Sequence, residues 1–417
     1  MAQAPMRTKR KNPILRTPQP TLPPHARSRA ALGLTAAAAR GALELQVCRD
    51  CGAAQYPPRE VCRECLSSRL MWGPHNGQGQ LLTETVLRSA QELYFREHLP
   101  WRIGIVRLDG GATLVAYVHE GIGPAPCRVR VEAALDRAGE AVLVAVPPDK
   151  RTNFSADPKL REMTCDPQAR KILVTDSKSA IGQAVVRALA AAGAEMIWVG
   201  EAEPWKKVAG TATLRDLPQV TAVPLDVTDS HSVRELAGEI GAKVDILVNT
   251  ADCHRTLTIG ARGALDTAQL EMDVNYFGLL RLAREFAPLL KARAADGPES
   301  SVAWVNVLSI FALSNYPPHG TYSASKAAAL SLSQALRADL YTAGVRLINL
   351  FPGPVDDEWD QLEMPPKLSP NALAAAVVDA LRGSMEDVYP GEVAQDWLAR
   401  HRDNAKALER ELSEGSR

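Results

Sequence analysis

The sequence lacks long hydrophobic runs and has no excess of charge of either sign. No apolar stretch approaches eighteen residues, which argues against a membrane-spanning helix. The 48 basic and 48 acidic residues cancel, and this balance argues against a protein built to bind nucleic acid. Hydrophobic residues make up 46% of the chain and charged residues 23%, an ordinary globular balance that excludes wholesale disorder. A length of 417 residues predicts two or three domains.

Acidic residues are absent from residues 1–40, which carry eight basic side chains, and prolines recur between residues 5 and 24. Such a segment cannot form a regular helix or bury enough apolar surface to fold alone. It also lacks the apolar centre of a secretory signal, although Arg-rich, acid-poor ends occur in organellar transit peptides. We interpret residues 1–28 as a disordered basic tail.

Cysteines are few, and four of the seven form two pairs, Cys48-x-x-Cys51 and Cys62-x-x-Cys65. An odd total in this pattern fits metal binding in a reducing compartment better than a disulfide framework, so we expect a cytoplasmic protein. Two such pairs can place four thiolates tetrahedrally around Zn²⁺ and leave no position open for water, which predicts a structural zinc site. The alternative is four unrelated buried thiols.

The pattern of the chain changes twice. Short strands separated by Gly, Pro and Asp follow the cysteines and predict a small antiparallel barrel. Together with a lead-in helix and the zinc ribbon, this barrel is predicted to form a module over 29–148. Residues 149–170 are polar and proline-punctuated, as in a linker. From 171 to 395, buried strands alternate with helices, which predicts a parallel sheet covered on both faces. Residues 396–417 are predicted as a charged helical tail. The fold class is therefore α/β, a doubly wound Rossmann sheet preceded by a zinc ribbon and an OB-like barrel.

The first module resembles the zinc-ribbon/OB-fold proteins that accompany thiolases and related acyl-CoA enzymes. The resemblance covers about 28–148 and is carried by C-R-D-C-G, P-P-R-E-V-C-R-E-C and Gly77-Gln78-Gly79. It implies docking to a partner enzyme or handling of a CoA thioester. A ribbon with a barrel could instead bind nucleic acid, but residues 44–150 hold 12 basic and 13 acidic side chains and offer no basic excess.

A second set of residues points to chemistry. Tyr322 and Lys326 are four residues apart in a helical pattern and so share one helix face. Ser309 follows one apolar strand, and Pro352-Gly353 follows the next. Ligands of open α/β sheets bind at the carboxyl ends of the strands, where these residues are expected.

This set resembles the short-chain dehydrogenase/reductase family over about 171–390. The resemblance implies that Tyr322 is the acid/base, that Ser309 binds the carbonyl, that Lys326 binds the cofactor ribose, and that Asn275 is a fourth catalytic residue. The chemistry is reasonable because a nearby ammonium lowers the pKa of a tyrosine.

The cofactor half departs from the family pattern. In the loop from Thr175 to Gly182, Asp176 and Ala180 replace two of three glycines, while Asp252 and Asp357 add acids elsewhere in the dinucleotide channel. Glu201 would accept ribose hydroxyls and repel a 2′-phosphate, which favours NAD over NADP. The resemblance implies these cofactor-binding residues: Thr175, Lys178, Ile181, Gly182, Glu201, Asp226, Asn249, Ala251, Tyr322, Lys326, Pro352 and Gly353.

Our first hypothesis is an NAD-dependent oxidoreductase that interconverts a hydroxyl and a ketone on a small molecule, such as a CoA thioester. The rival is a cofactor-deficient accessory protein that docks to a thiolase-like enzyme, and a third interpretation is nucleic-acid binding. The family resemblance also implies a homo- or hetero-oligomer. Cys253 is expected to be a buried thiol and His319 a solvated loop residue.

Overall fold

The computed structural model describes residues 20–24, 28–149, 154–203, 205, 206, 208, 210–296, 302–357, 360 and 363–414. The predicted tail therefore lies mostly outside the described residues. Its described part, 20–24, packs against the folded chain, since Pro23 is buried and Leu22 lies beside Gly344. These five residues depart from the predicted disordered tail.

The first module begins with a short helix and a small antiparallel sheet. Helix α1 spans Leu32–Ala38, and the strands are β1 (Glu44–Cys48), β2 (Ala54–Gln55) and β3 (Leu70–Pro74), in the order β2-β1-β3. The cysteine pairs lie in the turns of this sheet, which is the predicted zinc ribbon.

The described residues that follow form a closed five-stranded barrel, which confirms the predicted OB-like module. Its strand order is β4-β5-β6-β8-β7, and β6 pairs in parallel with β8 while the other neighbours are antiparallel. Alternate side chains such as Leu81, Val106 and Val129 fill its interior, as strand periodicity requires. The elements are β4 (Gln78–Leu87), α2 (Leu93–Glu97), β5 (Trp101–Leu108), β6 (Thr113–Val118), β7 (Cys127–Leu135) and β8 (Ala141–Val146).

A seven-stranded parallel sheet forms the core of the second module in the described chain, in the order β11-β10-β9-β12-β13-β14-β15. This is the predicted doubly wound fold. The strands are β9 (Lys171–Val174), β10 (Met196–Glu201), β11 (Val220–Pro224), β12 (Ile246–Asn249), β13 (Ala303–Val307), β14 (Arg346–Leu350) and β15 (Asp387–Val388).

Helices cover both faces of this sheet. Apolar residues of α3, α4 and α9 pack on one face, and those of α5, α7, α8 and α10 pack on the other. The helices are α3 (Ala180–Ala191), α4 (Thr211–Arg215), α5 (Ser230–Ile240), α6 (Ala264–Met272), α7 (Leu279–Ala294), α8 (Gly320–Tyr341), α9 (Pro370–Gly383) and α10 (Glu392–Glu414). Among the described helices, none is both long and apolar enough to cross a membrane.

The sequence predicts one helix over 265–292, but the structure interrupts it. A π-helical turn, Asp273–Gly278, separates α6 from α7. The extra residue in such a turn re-aims a side chain, and π-turns are frequent at functional sites. Here the turn carries Asn275. The predicted helical tail lies within the last helix, Glu392–Glu414, whose buried Trp397 and Leu408 pack in the core.

The two modules pack closely together. The guanidinium of Arg346 on β14 donates to the carbonyls of Leu135 and Asp136 at the end of the barrel, at 3.2 and 3.0 Å. The backbone amide of Glu386 donates to the carbonyl of Ala39, at 2.8 Å. The predicted linker also packs here, with Met163 buried against the barrel side chains. The barrel therefore rests on the β14–β15 edge of the sheet.

Gly77 and Gly111 offer a matched test of the barrel's backbone. Both have positive φ, but a Cβ at Gly77 would lie 2.1 Å from the carbonyl oxygen of Val131, whereas nothing lies within 4 Å at Gly111. We expect Gly111→Ala to cost about 1 kcal/mol from left-handed strain alone, and Gly77→Ala to cost about 1–3 kcal/mol more from overpacking. Thermal unfolding of both variants measures the difference, and equal losses would contradict the packing argument.

Candidate functional site

The predicted catalytic pair lies at the carboxyl edge of the parallel sheet. Tyr322 and Lys326 occupy the first turns of α8, and both side chains are buried. The Lys326 ammonium lies 5.5 Å from the centre of the Tyr322 ring and donates to the carbonyl of Val307, at the end of β13, at 3.2 Å. A helix begins here because the loop Pro317–His319 directs the chain back over the sheet.

Asp252, in the loop after β12, joins the two members of this pair. One of its carboxylate oxygens accepts from the Tyr322 hydroxyl at 3.1 Å, and the other lies 3.1 Å from the Lys326 ammonium. The family resemblance predicts an acid beside the adenosine ribose at this position. The structure instead places Asp252 against Tyr322 and Lys326, where its carboxylate pairs with the lysine ammonium.

The electrostatic environment keeps Tyr322 protonated. Burial raises its pKa well above the ordinary value, and the negative charges of Asp252, Asp360 and Asp357 raise it further. The simple expectation that Lys326 lowers this pKa is therefore wrong for the arrangement seen here, because three carboxylates and burial outweigh one ammonium that is already paired. A protonated phenol is a proton donor.

Asn275 holds the loop that carries Asp252. Its side-chain oxygen accepts from the amide of Cys253, while its Nδ2 donates to the carbonyl of Cys253 and to the hydroxyl of Ser325, each at 2.9 Å. The two bonds to one residue fix the loop, and the bond to Ser325 ties it to α8. Cys253 is buried as expected, and burial raises the pKa of its thiol to about 11, so it is not a reactive thiolate.

Ser309 is buried directly after β13 and caps the short 3₁₀ helix Ile310–Ala312. Its hydroxyl oxygen accepts from the amide of Phe311 at 3.2 Å. Among the described residues it makes no hydrogen bond with Tyr322, whose hydroxyl is held by Asp252. The hydroxyl can still rotate to donate toward a carbonyl.

Side-chain hydrogen bonds join the carboxyl ends of β9 and β12, at the start of the loop from Thr175 to Gly182 that is predicted to bind the cofactor. The hydroxyl of Thr175 donates to the side-chain oxygen of Asn249 at 2.8 Å and accepts from the amide of Ala251 at 3.1 Å. Thr250 adds a bond to the carbonyl of Asp176 at 2.8 Å. These hydrogen bonds hold Thr175, Asn249 and Ala251 together beside the predicted cofactor channel.

Asp176 lies at the amino end of α3, where a pyrophosphate would bind. Its half-buried carboxylate accepts from the amide of Ser179 at 3.3 Å, and desolvation raises its pKa. Gly182 is required here, because a Cβ would lie 2.2 Å from the carbonyl oxygen of Asp176. Ile181, beside it, packs into the core below. The helix terminus remains available, but one carboxylate competes for it.

The adenosine end of the channel is a cavity of about 360 Å³ at the end of β10. Lys178 pairs there with Glu203 at 2.8 Å, and Arg215 pairs with Glu201 at 2.8 Å. Lys178 thus pairs with Glu203 rather than with Asp176. The carboxylate of Asp226 accepts from the amide and hydroxyl of Thr228.

At the nicotinamide end, the carbonyl of Pro352 accepts from the amide of Ile310 at 2.8 Å. A Cβ on Gly353 would lie 3.1 Å from Val393. The channel from α3 to Lys326 retains Gly182, a helix amino terminus and a polar cavity at the end of β10, which are features that fit a dinucleotide. The ammonium of Lys326, which the family resemblance assigns to the ribose, is paired with Asp252 in this structure.

The sequence does not predict a cluster beside Tyr322. His254 stacks on the Tyr322 ring with 3.8 Å between ring centres, and its Nε2 lies 2.5 Å from Nδ1 of His319. His319 is fully buried, so the expectation of a solvated loop histidine is wrong; tertiary packing of the loop on Phe311 covers it. Asp360, also buried, completes the cluster. The sequence did offer one signal for this cluster, because His254 lies two residues after Asp252 and His319 lies three residues before Tyr322.

The four predicted metal-ligating cysteines converge. The sulfur atoms of Cys48 and Cys65 are 3.6 Å apart, as are those of Cys51 and Cys62, and all four lie within 4.8 Å of one another. Tetrahedral Zn²⁺ with Zn–S bonds of about 2.3 Å separates its sulfurs by about 3.8 Å. The donor set therefore fits zinc. Backbone amides, first that of Cys51, lower the pKa of the Cys48 thiol to about 6, whereas the pKa of the Cys51 and Cys65 thiols is raised by the neighbouring sulfur atoms.

A doubly wound sheet with a buried tyrosine and lysine at its carboxyl edge defines a Rossmann-type dehydrogenase. The chain belongs to the short-chain dehydrogenase family, whose model matches residues 170–364. Residues 35–70 match the ChsH2 rubredoxin-like zinc ribbon domain, and residues 72–136 match the ChsH2 C-terminal OB-fold domain. These matches confirm the predicted fusion, and the chain is an oxidoreductase of the short-chain type.

Two curated relatives and one solved structure illustrate the likeness. The chain is 32% identical over 250 residues to the short-chain dehydrogenase ptmH of Penicillium ochrochloron (56% of this chain, 86% of that protein). It is 30% identical over 248 residues to the 1-deoxy-11-beta-hydroxypentalenate dehydrogenase of Streptomyces avermitilis (55% and 88%). A short-chain dehydrogenase from Burkholderia cenocepacia J2315 in complex with NADP is 31% identical, with a TM-score of 0.53 (59% of this chain and 98% of that chain).

Replacing Cys62 tests the zinc ribbon. Cys62 is fully buried, and Cys62→Ser should lose one equivalent of bound zinc and destabilise the ribbon, since a structural zinc contributes directly to folding. Zinc content by elemental analysis and thermal unfolding check this. Cys127→Ser, which lies outside the cluster, should retain the parent zinc content. Unchanged zinc in Cys62→Ser would contradict the assignment.

Replacing Asp252 tests the origin of the Tyr322 environment. Asp252→Asn removes a negative charge 3.1 Å from the phenol, so the pKa of Tyr322 should fall. The alkaline pH titration of tyrosinate absorbance, taken as a difference from Tyr322→Phe, measures it. Asp356→Asn, at an exposed acid of a neighbouring loop, is the control. An Asp252→Asn titration equal to that of the parent would show that Asp252 does not set this pKa.

Proposed function

We propose that the protein is an NAD-dependent oxidoreductase that interconverts a ketone and a secondary alcohol, with Tyr322 as the proton donor in the direction of reduction. The observation that carries this proposal is the burial of Tyr322 beside Lys326 at the carboxyl edge of the sheet. A phenol held protonated at neutral pH suits the acid role better than the base role.

When bound, the nicotinamide supplies the hydride that adds to the carbonyl carbon. Tyr322 donates its proton to the carbonyl oxygen, and Ser309 donates a hydrogen bond to the same oxygen. Lys326 holds the ribose and stabilises the phenolate left behind. Asn275 keeps the loop of Asp252 in place, and Gly182 leaves room for the pyrophosphate at the amino end of α3.

Glu201 is the residue that we propose selects NAD. It lies at the end of β10 with its carboxylate directed to the adenosine cavity, where it can accept the ribose hydroxyls. Arg215 is paired with it, and Lys178 and Lys206 line the same cavity. These cations reduce the repulsion of a 2′-phosphate, although Lys178 and Lys206 are themselves paired with Glu203 of the same cavity. The Burkholderia relative was solved with NADP.

The fused first module supports a thioester substrate. A cavity of about 480 Å³ lies between α1, the ribbon and the barrel, and aromatic and aliphatic side chains line it, among them Leu34, Tyr56, Phe95, Trp101 and Tyr117. Such a cavity suits the apolar part of an acyl chain or an apolar segment of a thiolase-like partner. The relative from Streptomyces is named a 1-deoxy-11-beta-hydroxypentalenate dehydrogenase, and the name of its substrate includes a hydroxyl group.

An exposed apolar face supports assembly of two or more chains. Leu265, Leu270, Phe277 and Leu280, on α6, the π-turn and the start of α7, are all exposed. Large apolar side chains grouped on one face mark a protein interface. We propose that this face packs between subunits in a reducing, cytoplasmic setting.

A titration with NADH and NADPH, followed by nicotinamide fluorescence, tests the cofactor. We expect the parent to bind NADH more tightly than NADPH, and Asp176→Gly to tighten binding roughly ten- to a hundredfold by removing a carboxylate from the phosphate site. Asp176→Asn is the matched control, because it removes the charge without freeing the backbone. Turnover of 3-ketoacyl thioesters should fall at least about a hundredfold in Tyr322→Phe.

Two results would overturn the proposal. If the parent binds neither dinucleotide and Asp176→Gly does, the domain has lost its cofactor and the accessory role is favoured. If NADH binds but no ketoacyl thioester turns over, the substrate class is wrong.

A further inference from the structure

Three buried side chains from three different loops converge beside Tyr322. His254 follows β12, His319 precedes α8, and Asp360 follows β14. One potential ligand atom from each lies within 4.8 Å of the others. The fold therefore gathers two imidazoles and a carboxylate at one point beside Tyr322, at the carboxyl edge of the sheet.

Glu363 orients one of the imidazoles. Nε2 of His319 lies 2.9 Å from a carboxylate oxygen of Glu363, whose other oxygen accepts from the hydroxyl of Tyr316 at 3.2 Å. A carboxylate beside Nε2 places the ring proton there and leaves the lone pair of Nδ1 facing His254. A histidine that donates one ring N–H to a carboxylate and offers the other nitrogen is the common arrangement of metal ligands.

Asp360 has one carboxylate oxygen that makes no hydrogen bond among the described residues. One oxygen accepts from the amide of Val355 at 2.8 Å, while the other is buried without a hydrogen-bond partner in the part of the chain that is described. No described lysine or arginine pairs with this carboxylate. A buried carboxylate without a counter-charge is costly, and a cation at this point would neutralise it.

We propose that His254, His319 and Asp360 bind one divalent metal ion of the zinc class. Two imidazoles and a carboxylate suit Zn²⁺ and neighbouring first-row ions, and three protein ligands leave a position open to a ligand oxygen. Tetrahedral zinc with Zn–N bonds of about 2.0–2.1 Å separates its nitrogens by about 3.3 Å. The nitrogens of His254 and His319 are 2.5 Å apart, so the rings must part by less than about 1 Å.

The position of this site predicts its use. The His254 ring stacks on the Tyr322 ring with 3.8 Å between ring centres, so an ion held by His254 would lie next to the phenol. Glu363 is a positioning residue, since it touches His319 and not the ion. This inference concerns metal binding alone, and it stands or falls independently of the dehydrogenase activity.

Metal counting on the full-length protein tests the proposal. After removal of metal and reloading with Zn²⁺, the parent should bind two equivalents, one at the cysteine cluster and one here. His319→Ala, His254→Gln and Asp360→Asn should each bind one. Glu363→Gln should keep the site with affinity lowered about ten- to a hundredfold. His231→Ala, at an exposed histidine, should retain both equivalents.

Co²⁺ loading separates the two sites by spectrum. The cysteine cluster gives intense thiolate charge-transfer bands, and the histidine site gives weak visible bands alone. Cys62→Ser should keep those weak bands, and Asp360→Asn, which preserves side-chain size, should lose them. One equivalent in the parent would show that the histidines only hydrogen-bond to each other. A second equivalent that survives all three ligand variants would place the ion elsewhere. Either result overturns the proposal.

Discussion

The buried ammonium of Lys326 is the constraint on which the site depends. A charge with almost no exposure needs a counter-charge or several acceptors, and here it has the carboxylate of Asp252 and the carbonyl of Val307. Burial raises the pKa of Tyr322, and Asp252, which accepts from its hydroxyl, raises it further while pairing with the lysine. If Lys326 binds a cofactor ribose as proposed, binding of the ribose and release of Asp252 are coupled.

The acidic residues of the predicted dinucleotide channel differ in whether a nearby cation pairs with them. Asp176 adds a negative charge to a helix terminus that already attracts anions, and it shares the Ser179 amide with any incoming phosphate. Glu201 is compensated by Arg215, and Glu203 by Lys178. The net charge of the chain is zero, but it is the local pairing of these groups that decides whether a dinucleotide is attracted.

The two modules share one interface in place of a flexible joint. Arg346 belongs to β14, next to the edge strand β15 of the Rossmann sheet, and its guanidinium is buried against carbonyls of the barrel. Residues 154–170 pack between the modules as well. A module that rests on the β14–β15 edge is held at a fixed distance from the catalytic edge of the same strands. Substrate delivery or partner docking by the first module would thus occur in a fixed geometry.

Local patterns in the sequence determined the class of fold, the ribbon cysteines and the pair Tyr322 and Lys326, because periodicity and short spacings are local properties. The carboxyl edge of the sheet could also be located, since strand order follows from the family motif. Only the tertiary structure decided which charges meet there. Asp252, Asp360 and His319 come from loops far apart in the sequence, and their contacts with Tyr322 and one another depend on how those loops close. The protonation of the phenol is set by burial and by these distant charges, and neither can be obtained from a motif.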